Sequence, residues 1–424
     1  MLNKLFNIYE GMNDSMKKFK RIFFFTSTFP YGTGENFIEN EIGTMCSYCD
    51  ELYIIPINKT KDEKVRLCEN KRIKIMTIKI SWFRYLLLFL QMIFAEKVWK
   101  EIGFLYKNGN LNIYTLFSVA GFWLKGQARM DFVDAFFNKK VLSENDLLYS
   151  YWAGTTAYVV AGLSKKTKIF SVTRAHRYDI YQEYLMPYYI PFKEDTYSNI
   201  NYICPISDDG GEYLKKKFPN ISEKIHTVYL GTLDYGLNNS VEENVFKIVS
   251  CSNLVSVKRV NRIIEALADM DENIMWIHYG DGEQKAELEA RAGMLPHNIR
   301  YQFKGRYTNK DLMKEYQNEH FDVFVNVSES EGLPVSIMEA SSFGIPVIAT
   351  DVGGTSEIVK NGYNGYLLDA MFEKEELVNK IKIFMYMSKE EKKIMRMNSR
   401  IVWEEKFMAK NNYEAFFRDL LHAL

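Results

Sequence analysis

The chain has 424 residues, 47% of them hydrophobic and 25% charged, more than one core usually organises and without the bias of a disordered chain. Lys plus Arg equals Asp plus Glu at 54 each, so no overall basic field exists to gather nucleic acid, and no such partner is expected. Five cysteines in so long a chain make no disulfide framework, and no secretory signal precedes the first apolar run, so a reducing, cytoplasmic compartment is expected.

Residues 1–15 show no periodic pattern and read as an extension, with Met16 an alternative start. Lys17, Lys18, Lys20 and Arg21 then flank a first strand, either as a solvated edge or as a weak contact with an anionic membrane. Short β-branched and aromatic runs place strands near 21–27, 52–57, 72–80, 147–151, 168–172 and 202–206, with helices between them that include 35–47 and 207–218. Cys46 and Cys49 form a CxxC pair with no second pair and no nearby His, so they read as core thiols on a helix and no metal is expected. The apolar run 82–95 is broken by Arg84 and Gln91 and falls short of the ~20 residues needed to span a bilayer; it reads as a buried helix or as one lying in a membrane plane.

The polar, turn-rich segment 235–244 sets a boundary between domains 1–235 and 236–400. Beyond it the alternation repeats, with strands near 246–251, 275–278, 300–303, 323–327 and 346–349 and helices near 261–270 and 308–317. From Lys374 the chain reads as helix almost to Leu424, with breaks near Ser388 and Arg400, and 401–424 is expected to pack back on the first domain. The class is α/β with two Rossmann-like, doubly wound domains, whose strands should point their carboxyl ends into a shared cleft.

The most informative stretch is SESEGLPVSIMEASSFGIPVIATDVGGTSEIV, from Ser328 to Val359. A strand ends, a glycine turn follows, and a helix begins near Pro334, which suits a first helical position. Such a helix start offers free N–H groups and roughly half a unit of positive charge to an anion. Glu331 lies on the turn and Glu339 on the helix, in E-x7-E spacing. Two carboxylates flanking a phosphate-sized gap suit the hydroxyls of a nucleotide sugar.

With GIPVIATDVGGTSEIV following it, the E-x7-E segment resembles glycosyltransferase family 4, retaining enzymes of the GT-B fold, and the resemblance is detailed over 245–368. It implies that Glu331 contacts the transferred sugar, that Glu339 holds the ribose, and that the backbone of Gly332, Leu333, Pro334, Val335 and Ser336 meets sugar and phosphate. The family places an Arg and a Lys on the first loop of the second domain. Here Lys258 matches the lysine, but Asn253 stands where the arginine usually does, leaving Arg259 or Arg262 to supply that charge. Tyr307 falls where the family reads the base. His176, in SVTRAHRYDIYQE, resembles the family histidine set near the transferred sugar, with Asp179 read as a helix cap. Gly32 and Gly34, in FPYGTGENFIENEI, form a loop that covers the phosphates or admits the acceptor.

This first-domain loop is not a dinucleotide fingerprint, which needs glycine at Phe37, so hydride transfer is not expected. Gly280 and Gly282 read as scaffold, while Gly353 and Gly354 border the donor site. No DxD or clustered acid pair lies near these motifs, so the expected reaction uses no metal or other cofactor and relies on Lys258 and the helix start for charge. The resemblance thus implies a catalytic set of His176, Lys258 and Glu331, a nucleotide-diphosphate sugar donor, and a glycan or lipid-linked acceptor, with peripheral membrane contact as a further possibility. A nucleotide-sugar 2-epimerase and a non-catalytic nucleotide-sugar sensor or scaffold are the rival readings.

Overall fold

The computed structural model describes residues 18–32, 34–58, 65–66, 70–184, 186–238, 240 and 245–424. The expected extension 1–15 lies outside the described residues, as do Lys17 and, within the polar segment, 239 and 241–244. The run FKRIFFFT forms β1 (Phe19–Thr26), buried along nearly its whole length, as a parallel strand covered on both faces requires. Its side chains alternate between two cores: Phe23 and Phe25 join one, Ile22 and Phe24 the other. With β2 (Cys49–Pro56), β3 (Ile73–Ile75), β4 (Asp146–Ser150), β5 (Phe170–Ala175) and β6 (Tyr202–Pro205), it makes an all-parallel sheet ordered β3-β2-β1-β4-β5-β6.

The second sheet repeats this topology. It comprises β7 (Phe246–Cys251), β8 (Ile274–Tyr279), β9 (Ile299–Gly305), β10 (Val323–Asn326), β11 (Val347–Thr350) and β12 (Gly365–Leu368), ordered β12-β11-β10-β7-β8-β9 and again parallel. The strand order reverses between β1 and β4 in the first sheet and between β7 and β10 in the second. Open α/β sheets bind ligands outside the carboxyl ends of the strands at such points.

The chain divides into two compact units: Met1–Ile206 with Gly210–Val228 and Tyr413–Leu424, and Ser207–Asp209 with Tyr229–Asn412. The division falls ahead of the polar segment because the chain just before it is already tied into the second unit. Trp403 Nε1 donates to Thr232 Oγ1 at 2.7 Å, Arg400 pairs with Asp234 at 2.7 Å, and Asn238 Nδ2 donates to the Tyr316 carbonyl at 2.6 Å. In the first unit, Phe416, Phe417 and Leu420 of the helix Ala409–Ala423 join the core beside Phe24 and Tyr149.

Several elements differ from expectation. The helix expected to break near Arg400 runs unbroken over Lys389–Lys406, because Arg400 is held within it by Glu404 and Asp234. The strand expected over 72–80 is only three residues long, and β12 was not anticipated. Cys46 lies on the helix Glu39–Ser47, but Cys49 opens β2; both thiols are buried, and burial pushes that of Cys46 up to about 12. Arg21 is no solvated flank: it is 6% exposed and bonds both oxygens of Asp146, at 2.8 and 2.6 Å. The run 82–95 is not a buried helix either, since Leu88 is the one buried residue of the helix Trp82–Met92.

Candidate active site

The second unit gathers most of the expected residues at its switch point. The loop after β7 carries Lys258 at the end of the tight turn Ser256–Lys258, and the loop after β10 carries Glu331. Lys258 Nζ donates to Glu331 Oε1 at 2.6 Å, and Asn326 Nδ2, on the last residue of β10, donates to the same oxygen at 3.3 Å. Glu331 is 8% exposed, so this cation and this amide are what hold its charge. The Glu331–Gly332 backbone rests on the turn at Gly353 and Gly354. The Gly354 N–H donates to the Gly332 carbonyl at 2.7 Å, and a Cβ on Gly353, at φ +54°, would lie 2.0 Å from the Glu331 carbonyl oxygen. Only glycine fits there.

The helix Val335–Ser342 begins one residue later than expected. Pro334 is its N-cap, and its carbonyl accepts from the N–H groups of Ile337 at 3.1 Å and Met338 at 3.3 Å. Among the described residues, the N–H groups of Leu333, Val335 and Ser336 have no acceptor. They are the orphan donors of a helix start, adjacent to the Lys258–Glu331 pair in sequence and carrying the positive end of the helix dipole. Glu339 lies farther along the same helix, buried, with Asn309 Nδ2 donating to its Oε1 at 2.5 Å. Burial pushes its carboxyl up to about 7 against that single hydrogen bond.

Asn253 is exposed, and its side chain has no partner among the described residues. Neither nearby arginine is spare. The Arg259 guanidinium bonds the carbonyls of Val327, Ser328 and Ala370 at 2.8, 3.1 and 2.8 Å, while Arg262 bonds the Phe372 carbonyl at 2.5 Å and Glu265 at 3.3 Å. Both stack on the Phe372 ring. Arg259 thus fixes the start of the Glu331 loop. Tyr307, half-buried beyond β9, packs edge-on against Tyr279 at 5.0 Å between ring centres, two residues before Asn309.

In the first unit, His176 follows β5 and sits 6% exposed among Trp152, Tyr151 and Phe37, with ring centres 4.5, 5.0 and 5.9 Å away. Its Nε2 lies 3.1 Å from the Tyr151 carbonyl, which only accepts, so Nε2 carries the proton and Nδ1 the lone pair. Burial, aided by Arg174, pushes its pKa down to about 3, so the ring is neutral. His176 itself is the N-cap of the turn Arg177–Ile180, and the Asp179 carboxylate reaches back to its N–H at 3.3 Å.

The loop bearing Gly32 (φ +70°) and Gly34 is organised by a residue the sequence reading passed over. The Glu35 carboxylate accepts from the N–H groups of Ser27, Thr28 and Phe29 at 2.9, 2.7 and 2.7 Å, and from Trp152 Nε1 at 2.6 Å. An acid directly after a G-x-G turn was the available signal. Trp152 stacks beside His176, so Glu35 links the glycine loop to the histidine. With the Thr28 hydroxyl at 3.2 Å, Glu35→Ala removes the acceptor of five donors and is expected to destabilise the first unit by about 2–4 kcal/mol; an unchanged urea midpoint would contradict this role. Asn326 and Asn309, which hold the two site glutamates, likewise had no motif to announce them.

Residues 238–401 match the family model described as Glycosyl transferases group 1. The group 1 match lies wholly within the second unit, which carries Lys258, Glu331 and Glu339. The UDP-N-acetylglucosamine–peptide N-acetylglucosaminyltransferase GtfA subunit of Streptococcus agalactiae is 28% identical over 158 residues, 36% of this chain and 30% of that protein. An uncharacterized glycosyltransferase of Methanocaldococcus jannaschii is 29% identical over 228 residues, 53% of this chain and 61% of that one. The chain thus spans less than two thirds of the length of these curated relatives. The crystal structure of Anabaena HepE in complex with UDP aligns with 96% of this chain and 100% of its own at a TM-score of 0.65 and 17% identity. At that identity the likeness speaks for the fold, two Rossmann-like domains of the GT-B type.

Proposed function

We propose that the chain is a retaining glycosyltransferase that moves a sugar from a nucleoside-diphosphate donor to a hydroxyl of a glycan or lipid-linked acceptor in cytoplasmic polysaccharide assembly. The observation that carries this reading is the run of groups from Lys258 to Glu339. A carboxylate paired with a cation from the loop after β7, then three unpartnered N–H groups and a buried carboxylate, follow one another along the loop after β10 and its helix. That order suits a sugar at Glu331, a diphosphate at Lys258 and the N–H groups, and a ribose at Glu339, the order in which a nucleotide sugar is built. In the proposed step, the bond from the sugar's anomeric carbon to the diphosphate oxygen breaks as the acceptor oxygen bonds that carbon from the same face. The hydroxyl proton passes to the departing phosphate. Lys258 and the helix N–H groups stabilise the charge growing on the diphosphate without a metal. His176, held neutral, serves as a hydrogen-bonding group and not as a proton carrier.

UDP sugars are the first donors to test, because HepE was solved with UDP and GtfA is named for UDP-N-acetylglucosamine. A melting screen of the full chain in EDTA against UDP, GDP, ADP and CMP sugars is expected to show a rise of several degrees with one nucleoside series. No rise with any donor would refute the donor site, and a rise that appears only after Mg²⁺ is added would refute metal independence. A second reading, nucleotide-sugar binding without transfer, is favoured by Asn253 together with the prior engagement of Arg259 and Arg262. A donor-dependent melting shift without transfer to any acceptor would select it.

A further inference from the structure

The helices Trp82–Met92, Glu96–Lys107 and Ile113–Phe137 pack on one another through Leu88, Val98, Leu105 and Val119. Their outer faces have no cover among the described residues. Trp82 is 75% exposed, Phe94 86%, Tyr106 75% and Phe117 71%, and about half of all exposed large apolar side chains among the described residues fall within 82–117. That is under a tenth of the chain, so this is a patch and not the scatter of single residues that any surface carries.

Its charge is as uneven as its polarity. Residues 79–137, from the approach to the first helix to the end of the third, hold seven Lys or Arg against four Asp or Glu, a local excess of three positive charges in a chain whose net charge is zero. Lys79, Lys107 and Lys125 are exposed and form no ion pair among the described residues. Trp and Tyr mixed with Lys around an apolar face is the composition of a lipid headgroup boundary, where amphipathic rings and long cationic stems both find their solvent. No helix among the described residues is long and apolar enough to cross a membrane. The 11-residue helix Trp82–Met92 is about 16 Å long, half a bilayer core, so it can only lie in the plane.

We propose that this three-helix face seats the first unit on an anionic bilayer, with Trp82, Phe94 and Phe117 entering the headgroup–acyl boundary and the unpaired lysines meeting lipid phosphates. The excess of positive charge favours a lipid surface over a second copy of the chain, whose identical patch would repel it. The inference does not depend on the proposed transferase activity, because vesicle binding needs neither donor nor turnover.

The test is co-sedimentation of the full chain with phosphatidylglycerol–phosphatidylcholine vesicles and with phosphatidylcholine alone. Binding is expected on the anionic vesicles, weaker at raised salt and on the neutral ones. The triple variant W82S/F94S/F117S should lose at least about tenfold in partitioning with an unchanged melting temperature, since these side chains are exposed. K79Q/K107Q/K125Q should lose the anionic preference. Absence of binding to either vesicle, or full binding by the serine variant, overturns the proposal. So does concentration-dependent dimerisation that the serine variant abolishes, which would assign the face to a second copy.

Discussion

Lys258→Ala is expected to lower turnover by about 10²–10³, with donor affinity changed far less. Among the described residues, the ammonium is the one cation found directly on the Glu331 carboxylate, at 2.6 Å, while Arg259 and Arg262 are engaged by backbone carbonyls and Glu265. With Asn253 offering no charge, nothing nearby takes over when diphosphate charge develops. The variant also leaves Glu331 with Asn326 alone, and a loss of about 1–3 kcal/mol in stability is expected, between the values for exposed and buried pairs. The double variant Lys258→Ala/Glu331→Gln separates the two effects. It should regain most of the stability, because no buried charge is left unpaired, and none of the turnover. Turnover of the single variant within threefold of the parent would remove Lys258 from the chemistry.

The parts of this molecule that were legible in the sequence are those whose pattern and physics coincide. Parallel strands covered on both faces read as unbroken apolar runs, so β1 and β7 stood out at once. The strand–turn–helix around Glu331 was equally plain, because Gly353 and Gly354 are demanded by the close approach of the Glu331–Gly332 backbone and Pro334 stands at the helix start. What escaped was set by tertiary partners. Arg21 sits in a basic run and yet is buried, because Asp146, far along the chain, supplies its counter-charge. Glu35, Asn326 and Asn309 gain their roles only when a second loop or helix arrives. The run 82–95 shows the limit of hydropathy most clearly: it measures preference for an apolar medium, and the fold alone decides whether protein supplies that medium.

Glu339 makes a different kind of prediction, one in which stability and binding move in opposite directions. Its carboxyl is held at about 7 by burial, against an ordinary value of 4.5. Between these two values the folded state binds the proton and the unfolded chain releases it, so stability falls as pH rises from about 4.5 to 7 and stays low above that. The full difference is worth roughly 3 kcal/mol at 25 °C. Glu339→Gln keeps the shape and an acceptor for Asn309 but removes the ionisation. At pH 8 the ligand-free variant should therefore melt on the order of 5–10 °C higher than the parent, with the gap closing below pH 5. Hydroxyl donors of a bound ribose favour the carboxylate, so the parent's donor affinity should rise with pH up to about 7 and then level off, with proton release on binding near pH 6.5. The glutamine variant should bind donor about 10- to 100-fold more weakly and show no such pH dependence. A variant that melts with the parent at pH 8 would mean that the carboxylate is not desolvated in the free protein. A variant that binds donor as the parent does would mean that this buried acid is part of the scaffold and that the ribose is held elsewhere.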